Sequence, residues 1–167
     1  MTSARKSTSR KVAAAPVAAA AIADVALRTL ARVSMTVRWG DLDAFNHVNN
    51  ATFLVYAQEA RLAWLAGIDG PWFDDSMMPV VAAAQVNFRR QLAWPGRIVV
   101  ELATKRTGTS SLTIAHRIVA EDDNDCIYAD GEVVMVWIDP ASGRSVPLPP
   151  AIRAACQSDA SAASTLK

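Results

Sequence analysis

One helical period, followed by four consecutive strand-like runs, limits this chain more than any other feature of its sequence. From Ala51 to Gly67 apolar residues recur at helical spacing. Phe53, Ala57, Ala60 and Trp64 form one row, with Leu54, Ala57, Arg61 and Leu65 beside it. Asn49 or Asn50 supplies a cap at the start, and Gly67 marks the end. Several helix positions are alanine, so a sheet can wrap this helix closely. Four runs rich in Val, Ile and Thr follow: Val80 to Arg89, Ile98 to Arg106, Ser111 to Ala120 and Cys126 to Ile138. Turn signals separate them at Pro95-Gly96, Thr107-Gly108 and Asp122-Asp123-Asn124-Asp125. Before the helix, Val33 to Trp39 alternates, with Val33, Met35, Val37 and Trp39 on one side. The order β-α-β-β-β-β predicts an α+β domain, a curved antiparallel sheet around one long helix. Other α+β folds share that order.

The rest of the chain is less patterned. Residues 1–30 read as a basic, Ala-rich extension, flexible or partly helical, with Ala20 to Arg32 able to form a short helix. Its Arg5, Lys6, Arg10 and Lys11 ahead of an alanine run also fit a signal or transit peptide. The run lacks a Leu/Val core, and Pro16, Asp24 and Arg28 interrupt it, which favours the plain extension and excludes a membrane span. The folded domain is expected over 31–148. Residues 149–167, Ala- and Ser-rich beyond Pro147-Leu148-Pro149-Pro150, read as a disordered tail. With 17 basic and 16 acidic residues there is no basic excess of the kind a nucleic-acid binder shows. Cys126 and Cys156 have no metal-ligand spacing and fit a reduced, cytoplasmic protein.

Between strand and helix, Asp41-Leu42-Asp43-Ala44-Phe45-Asn46-His47-Val48-Asn49-Asn50 breaks all periodicity. The wider segment Val37 to Asn50 is similar to the opening motif of the 4-hydroxybenzoyl-CoA thioesterase family: strand, Asp-x-Asp, three residues, His-Val-Asn-Asn, helix. Tyr56, Glu59, Ala60 and Arg61 fit that family's helix. Val86-Asn87-Phe88-Arg89-Arg90-Gln91-Leu92 resembles its next strand, and Pro95-Gly96 the turn after it. The resemblance runs from about Val33 to Ile138. It implies the hotdog fold and hydrolysis of an acyl-CoA thioester, a reaction of fatty acid metabolism among others. One departure is Asn46, where relatives often carry Gly; Asn tolerates left-handed backbone better than most residues.

The resemblance assigns roles residue by residue. Asp43 occupies the position of the catalytic carboxylate, attacking the thioester as a nucleophile or activating water as a base. The first N–H groups of a helix lack internal partners and lie at the positive end of its dipole, so they can polarise a carbonyl. By matching position the donor is Asn50, with Asn49 as a second candidate. His47 reads as a supporting residue, and Asp41 as a structural one that holds the loop. Glu59 lies too far from the helix start to share that site and is expected in a buried pair with Arg61 or a sheet residue. His116 reads as an ordinary half-exposed strand residue. Phosphates of coenzyme A call for cations or backbone donors. Arg89 and Arg90, adjacent on a strand and pointing to opposite faces, are one candidate set. Lys105, Arg106 and Ser110, around the Thr107 to Ser111 turn, are another. Phe53, Tyr56 and Trp64 are candidate acyl-pocket residues or plain core, and Trp72 and Phe73 could cap the acyl end. No metal or cofactor is needed; coenzyme A is part of the substrate. The family's pairing of two sheets implies a homodimer or homotetramer. The alternatives are an acyl-carrier-protein thioesterase, a hotdog dehydratase or hydratase, whose motifs Asp43 and His47 do not resemble, and a non-catalytic acyl-CoA-binding module.

Overall fold

The computed structural model describes residues 27–157. Five strands and two helices follow one another: β1 (Arg28–Thr36), α1 (Asn50–Ala66), β2 (Met78–Phe88), β3 (Arg97–Thr107), β4 (Ser111–Ala120), β5 (Ile127–Ile138) and α2 (Pro150–Ala155). A single 3-10 turn, Trp39–Asp41, sits between β1 and α1. The strands form one open antiparallel sheet in the order β1-β3-β4-β5-β2. The hotdog order of elements is therefore present, with α1 as the central helix.

Alternation decides which residues meet the helix. Leu112, Ile114, His116 and Ile118 of β4 are all buried, as are Ala129, Val133, Met135 and Trp137 of β5. Ile98, Val100 and Leu102 of β3 join them, and this face packs with Phe53, Tyr56, Ala60, Trp64 and Leu65 of α1 into one core. Ala57 and Ala60 are fully buried, so the helix backbone lies close to the sheet. The opposite side of α1 leaves Leu54, Val55 and Leu62 exposed. The edge strand β2 is exposed from Val81 to Gln85.

Several expectations need correction. Arg28–Arg32 is strand, not helix, because β1 pairs with β3 from Arg28↔Thr104 to Thr36↔Arg97. The remainder of the expected Ala20 to Arg32 helix, and residues 1–26 of the expected 1–30 extension, lie outside the described residues, while Arg28 to Leu30 of that extension belong to β1. Trp39 leaves the strand for the 3-10 turn and is exposed. The segment after Pro149 is not frayed at its start. Pro150 sits in the first turn of α2, where its missing N–H costs nothing, and Ile152 and Cys156 are buried. Arg153 Nη2 donates to the carbonyls of Gly108 and Thr109 at 2.9 and 2.8 Å, fastening α2 over the β3–β4 turn. Residues 158–167 lie outside the described residues. Glu59 is exposed, and among the described residues no ion pair joins it to Arg61. His116 is buried, not half-exposed, because its strand position falls on the apolar row. Among the described residues no helix is long and apolar enough to cross a membrane.

Candidate active site

The loop between the 3-10 turn and α1 is built from its own hydrogen bonds. The Asp43 N–H donates to the His47 carbonyl at 2.8 Å, and the Asn46 N–H donates to the Asp43 carbonyl at 3.0 Å. The Phe45 N–H donates to Asp43 Oδ1 at 2.8 Å, an Asx turn that fixes the carboxylate and leaves Oδ2 unused by the loop. Asn46 has φ 63, inside the left-handed region where a glycine is the usual occupant. The departure from the family pattern at Asn46 thus keeps the turn. Leu42 and Val48 bridge across the base of the loop, and the Val48 N–H donates to the Leu92 carbonyl at 2.8 Å. That last bond ties the loop to the segment after β2.

Asp41 anchors the loop. It is 5% exposed, and its carboxylate accepts from Arg38 Nη2 and the Arg38 N–H, each at 2.8 Å, and from the Tyr56 hydroxyl at 2.7 Å. Burial pushes the Asp41 carboxyl up, but the Arg38 and Tyr56 hydrogen bonds outweigh it and hold the group below its ordinary value. Burial, then the Asp41 carboxylate, drive the Tyr56 hydroxyl above its ordinary value, so it remains a donor.

At the helix start the amides divide unequally. The Asn49 N–H donates to the Asp41 carbonyl at 2.9 Å. Asn49 Oδ1 caps the Ala51 N–H at 2.9 Å, and the Asn49 carbonyl takes the Thr52 N–H at 2.9 Å. Among the described residues the Asn50 N–H has no partner. Of the two amides put forward from sequence, Asn50's is free, whereas Asn49's is committed to the loop. Asn49 is the helix cap.

Asp43, Phe45, His47, Val48 and Asn50 line one cleft of about 540 Å³, closed on its other side by Phe88, Arg89, Arg90, Gln91 and Leu92, with Phe53 also in its wall. Phe53 meets Phe88 edge-to-face, ring centroids 5.4 Å apart. Of the expected acyl-pocket residues only Phe53 reaches the cleft. Tyr56 is turned to Asp41, and Trp64 is core. Phe45, Phe88 and Leu92 were not singled out as pocket residues, although the motif segments themselves contain them. Trp72 packs against the core and accepts a 2.8 Å bond from Trp137 Nε1 on its carbonyl, while Phe73 is exposed.

Arg89 and Arg90 both line the cleft, against the expectation that they point to opposite faces. Strand β2 ends at Phe88, and the N–H groups of both arginines converge on the Tyr128 carbonyl at 2.8 and 3.1 Å, so strand alternation no longer applies. Arg89 is held by Nε and Nη2 on the Asp130 carboxylate, which Asn87 Nδ2 also reaches at 2.9 Å. Arg90 Nη1 lies 4.0 Å from Cys126 Sγ and has no carboxylate partner among the described residues. The second cationic set lies elsewhere. Lys105 pairs with Glu132, and the Ser110 carbonyl takes the Trp137 N–H at 2.9 Å. From Arg97 to Lys105 the strand runs about 26 Å, away from the cleft end of β3. Among the described residues no group of three or more His, Cys, Asp or Glu gathers as a metal site.

Comparison with known proteins places the fold in a family. The family profile described as the thioesterase-like superfamily matches residues 37–156. A candidate acyl-CoA thioesterase from Xanthomonas campestris is 50% identical in sequence, with 68% of this chain and 96% of that one covered and a TM-score of 0.63. A Thermus thermophilus thioesterase, solved with coenzyme A and Zn, is 35% identical over 77% of this chain and 92% of its own, with a TM-score of 0.65. An uncharacterized Bacillus subtilis protein, YsmA, is 30% identical over 112 residues, 67% of this chain and 75% of its own length. The profile match extends from the end of β1 through α2 and includes the whole cleft: the chain belongs to the thioesterase-like superfamily and is a hotdog-fold thioester hydrolase.

Proposed function

We propose that the protein hydrolyses an acyl-CoA thioester to a free carboxylic acid and coenzyme A, with Asp43 as nucleophile or general base and the Asn50 N–H as oxyanion donor. One observation carries this reading. Asp43 and Asn50, whose helix-start amide has no partner among the described residues, line the same cleft from the two ends of one hydrogen-bonded loop. A thioester carbonyl bound between them has its oxygen polarised by the amide and the helix dipole while the carboxylate addresses its carbon. Attack by the carboxylate gives an anhydride and expels the CoA thiolate, and water then cleaves the anhydride. In the alternative route the carboxylate takes a proton from water, whose oxygen attacks directly. Either way one water is consumed, and acid and thiol are released.

The supporting residues follow from position. His47 gives its carbonyl to the Asp43 N–H and lines the cleft, where its ring can orient substrate or water. Arg90, with its guanidinium unclaimed by a carboxylate among the described residues, is the proposed contact for a CoA phosphate; Arg89, which lines the same cleft, has its Nε and Nη2 engaged by Asp130. Lys105, Arg106 and Ser110 of one protomer are not part of that contact. Phe53, Phe88 and Phe45 provide the apolar wall for the acyl group. The chemistry proposed calls for no metal. Assembly as a homodimer or homotetramer accords with the exposed edge strand β2, including Val81, and with Leu54, Val55 and Leu62 of α1 left exposed.

Thiol release from a panel of acyl-CoA and acyl-carrier-protein thioesters tests the reading. Turnover of CoA esters supports it. Turnover of carrier-protein esters alone assigns the site to protein-bound pantetheine, and tight acyl-CoA binding without turnover makes it a sensor.

A further inference from the structure

Tyr56 does not touch the cleft, yet it is joined to the cleft's two chemical ends through a single residue. Its hydroxyl donates to Asp41 Oδ2 at 2.7 Å. Asp41 is fixed on its other side by Arg38, through Nη2 on Oδ1 and the N–H on Oδ2. The main-chain carbonyl of Asp41 meanwhile holds the Asn49 N–H at 2.9 Å. Asp41 therefore grips α1 at two places: at its start, where the Asp41 carbonyl also takes the Thr52 hydroxyl at 3.5 Å, and at Tyr56. Those grips are separated by about 10 Å of helix axis. Two grips on one rigid rod fix both the position of its N-terminus and its rotation.

The consequence falls on Asn50 and Asp43. Because the Asn49 amide goes to Asp41 and the Ala51 amide to the Asn49 side chain, the Asn50 amide is the one left for the cleft. Asp43 follows Asp41 by two residues, so the carboxylate hangs from the same anchor. Oxyanion stabilisation requires a donor about 3 Å from the developing charge, and an error of about 1 Å in such an arrangement costs on the order of a hundredfold in rate.

We propose that Tyr56 is a positioning residue: acting through Asp41, it sets the spacing between the Asp43 carboxylate and the Asn50 N–H. This rests on the thioesterase reading of the cleft. It also replaces the acyl-pocket role expected of Tyr56. The ring is core, packed 6.4 Å from Phe53, and the hydroxyl is the working part.

Tyr56→Phe removes the hydroxyl and leaves the ring. In the folded variant kcat falls about tenfold or more, while KM for an acyl-CoA stays within about twofold because the substrate never meets Tyr56. Amide hydrogen exchange gives a readout that does not depend on turnover. The Asn49 N–H, protected by the Asp41 carbonyl, exchanges faster in Tyr56→Phe, while amides in the middle of α1 do not change. A second variant, Arg38→Gln, alters a side chain that is 71% exposed and outside the core. It lowers kcat several-fold, again without a change in KM, and it decides the matter if Tyr56→Phe does not fold. Wild-type kcat in the folded variants, or a loss that appears only in KM, overturns the positioning role while leaving the thioesterase reading intact. A wild-type protein that turns over no thioester removes that reading, and the positioning role with it.

Discussion

Acidification strikes this fold at His116, in the middle of β4. The imidazole is 2% exposed, and neither ring nitrogen has a partner among the described residues. It packs against Gly131, opposite it on β5, where a Cβ would lie 3.0 Å from Nε2 and still closer, 1.9 Å, to the Gln85 carbonyl oxygen. Burial, followed by the nearby Arg61 charge, lowers its pKa from 6.5 to about 4, against smaller opposing effects of Asp130 and Glu132. Between those two values the unfolded chain carries a proton that the folded chain refuses. Stability is therefore full above pH 6.5 and is lost as pH falls toward 4. That gap corresponds to about 3 kcal/mol, a large part of the roughly 5–15 kcal/mol that a domain typically has. His116→Leu removes both the titration and the two unpaired polar atoms. Urea unfolding at pH 7 and pH 4.5, at one fixed protein concentration, measures the effect. Wild type is expected to lose about 2–3 kcal/mol more than His116→Leu across that interval. Asp41 and Asp130, whose carboxyls are held below their ordinary values, also titrate, but they do so in both proteins and largely cancel. Equal losses in the two proteins would refute the argument that His116 is buried neutral.

Two further outcomes are expected. Asn46→Gly keeps the left-handed turn and retains activity, whereas Asn46→Val strains it by about 1–2 kcal/mol and lowers kcat; thermal unfolding and a thiol-release assay separate the two. Arg90→Ala raises KM for CoA esters about tenfold, the size of a lost charge-assisted phosphate contact, and Lys105→Ala, paired with Glu132 away from the cleft, leaves KM unchanged; steady-state kinetics on both variants decides this.

How far the sequence reveals the molecule depends on which interactions are local. The helix and the four later strands are legible because their periods differ and turn residues separate them. The loop is legible because its Asp, Asn and His pattern has no other use. Arg28–Arg32 misleads because good helix formers are held as strand by pairing with β3, a partner some 70 residues away in sequence. The Pro-rich stretch before α2 reads as a break, yet Pro150 begins a helix that Ile152 and Cys156 anchor. His116 could have been read correctly. It shares the alternate positions of Leu112, Ile114 and Ile118, and that row is the buried one. Tyr56 could not, since its bond to Asp41 depends on how the loop folds back on the helix. The same holds for Arg89 and Arg90, whose shared side of the cleft follows from where β2 stops.

The central claim is that the Asp43 carboxylate performs the hydrolysis. The most direct test is the single-turnover release of thiol from a bound acyl-CoA by Asp43→Asn, beside wild type. Asn can still accept the Phe45 N–H, so the turn and the cleft survive while the charge is lost. We expect substrate binding within a few-fold of wild type and a rate of thiol release lower by at least about a hundredfold. Release at the wild-type rate would contradict the claim.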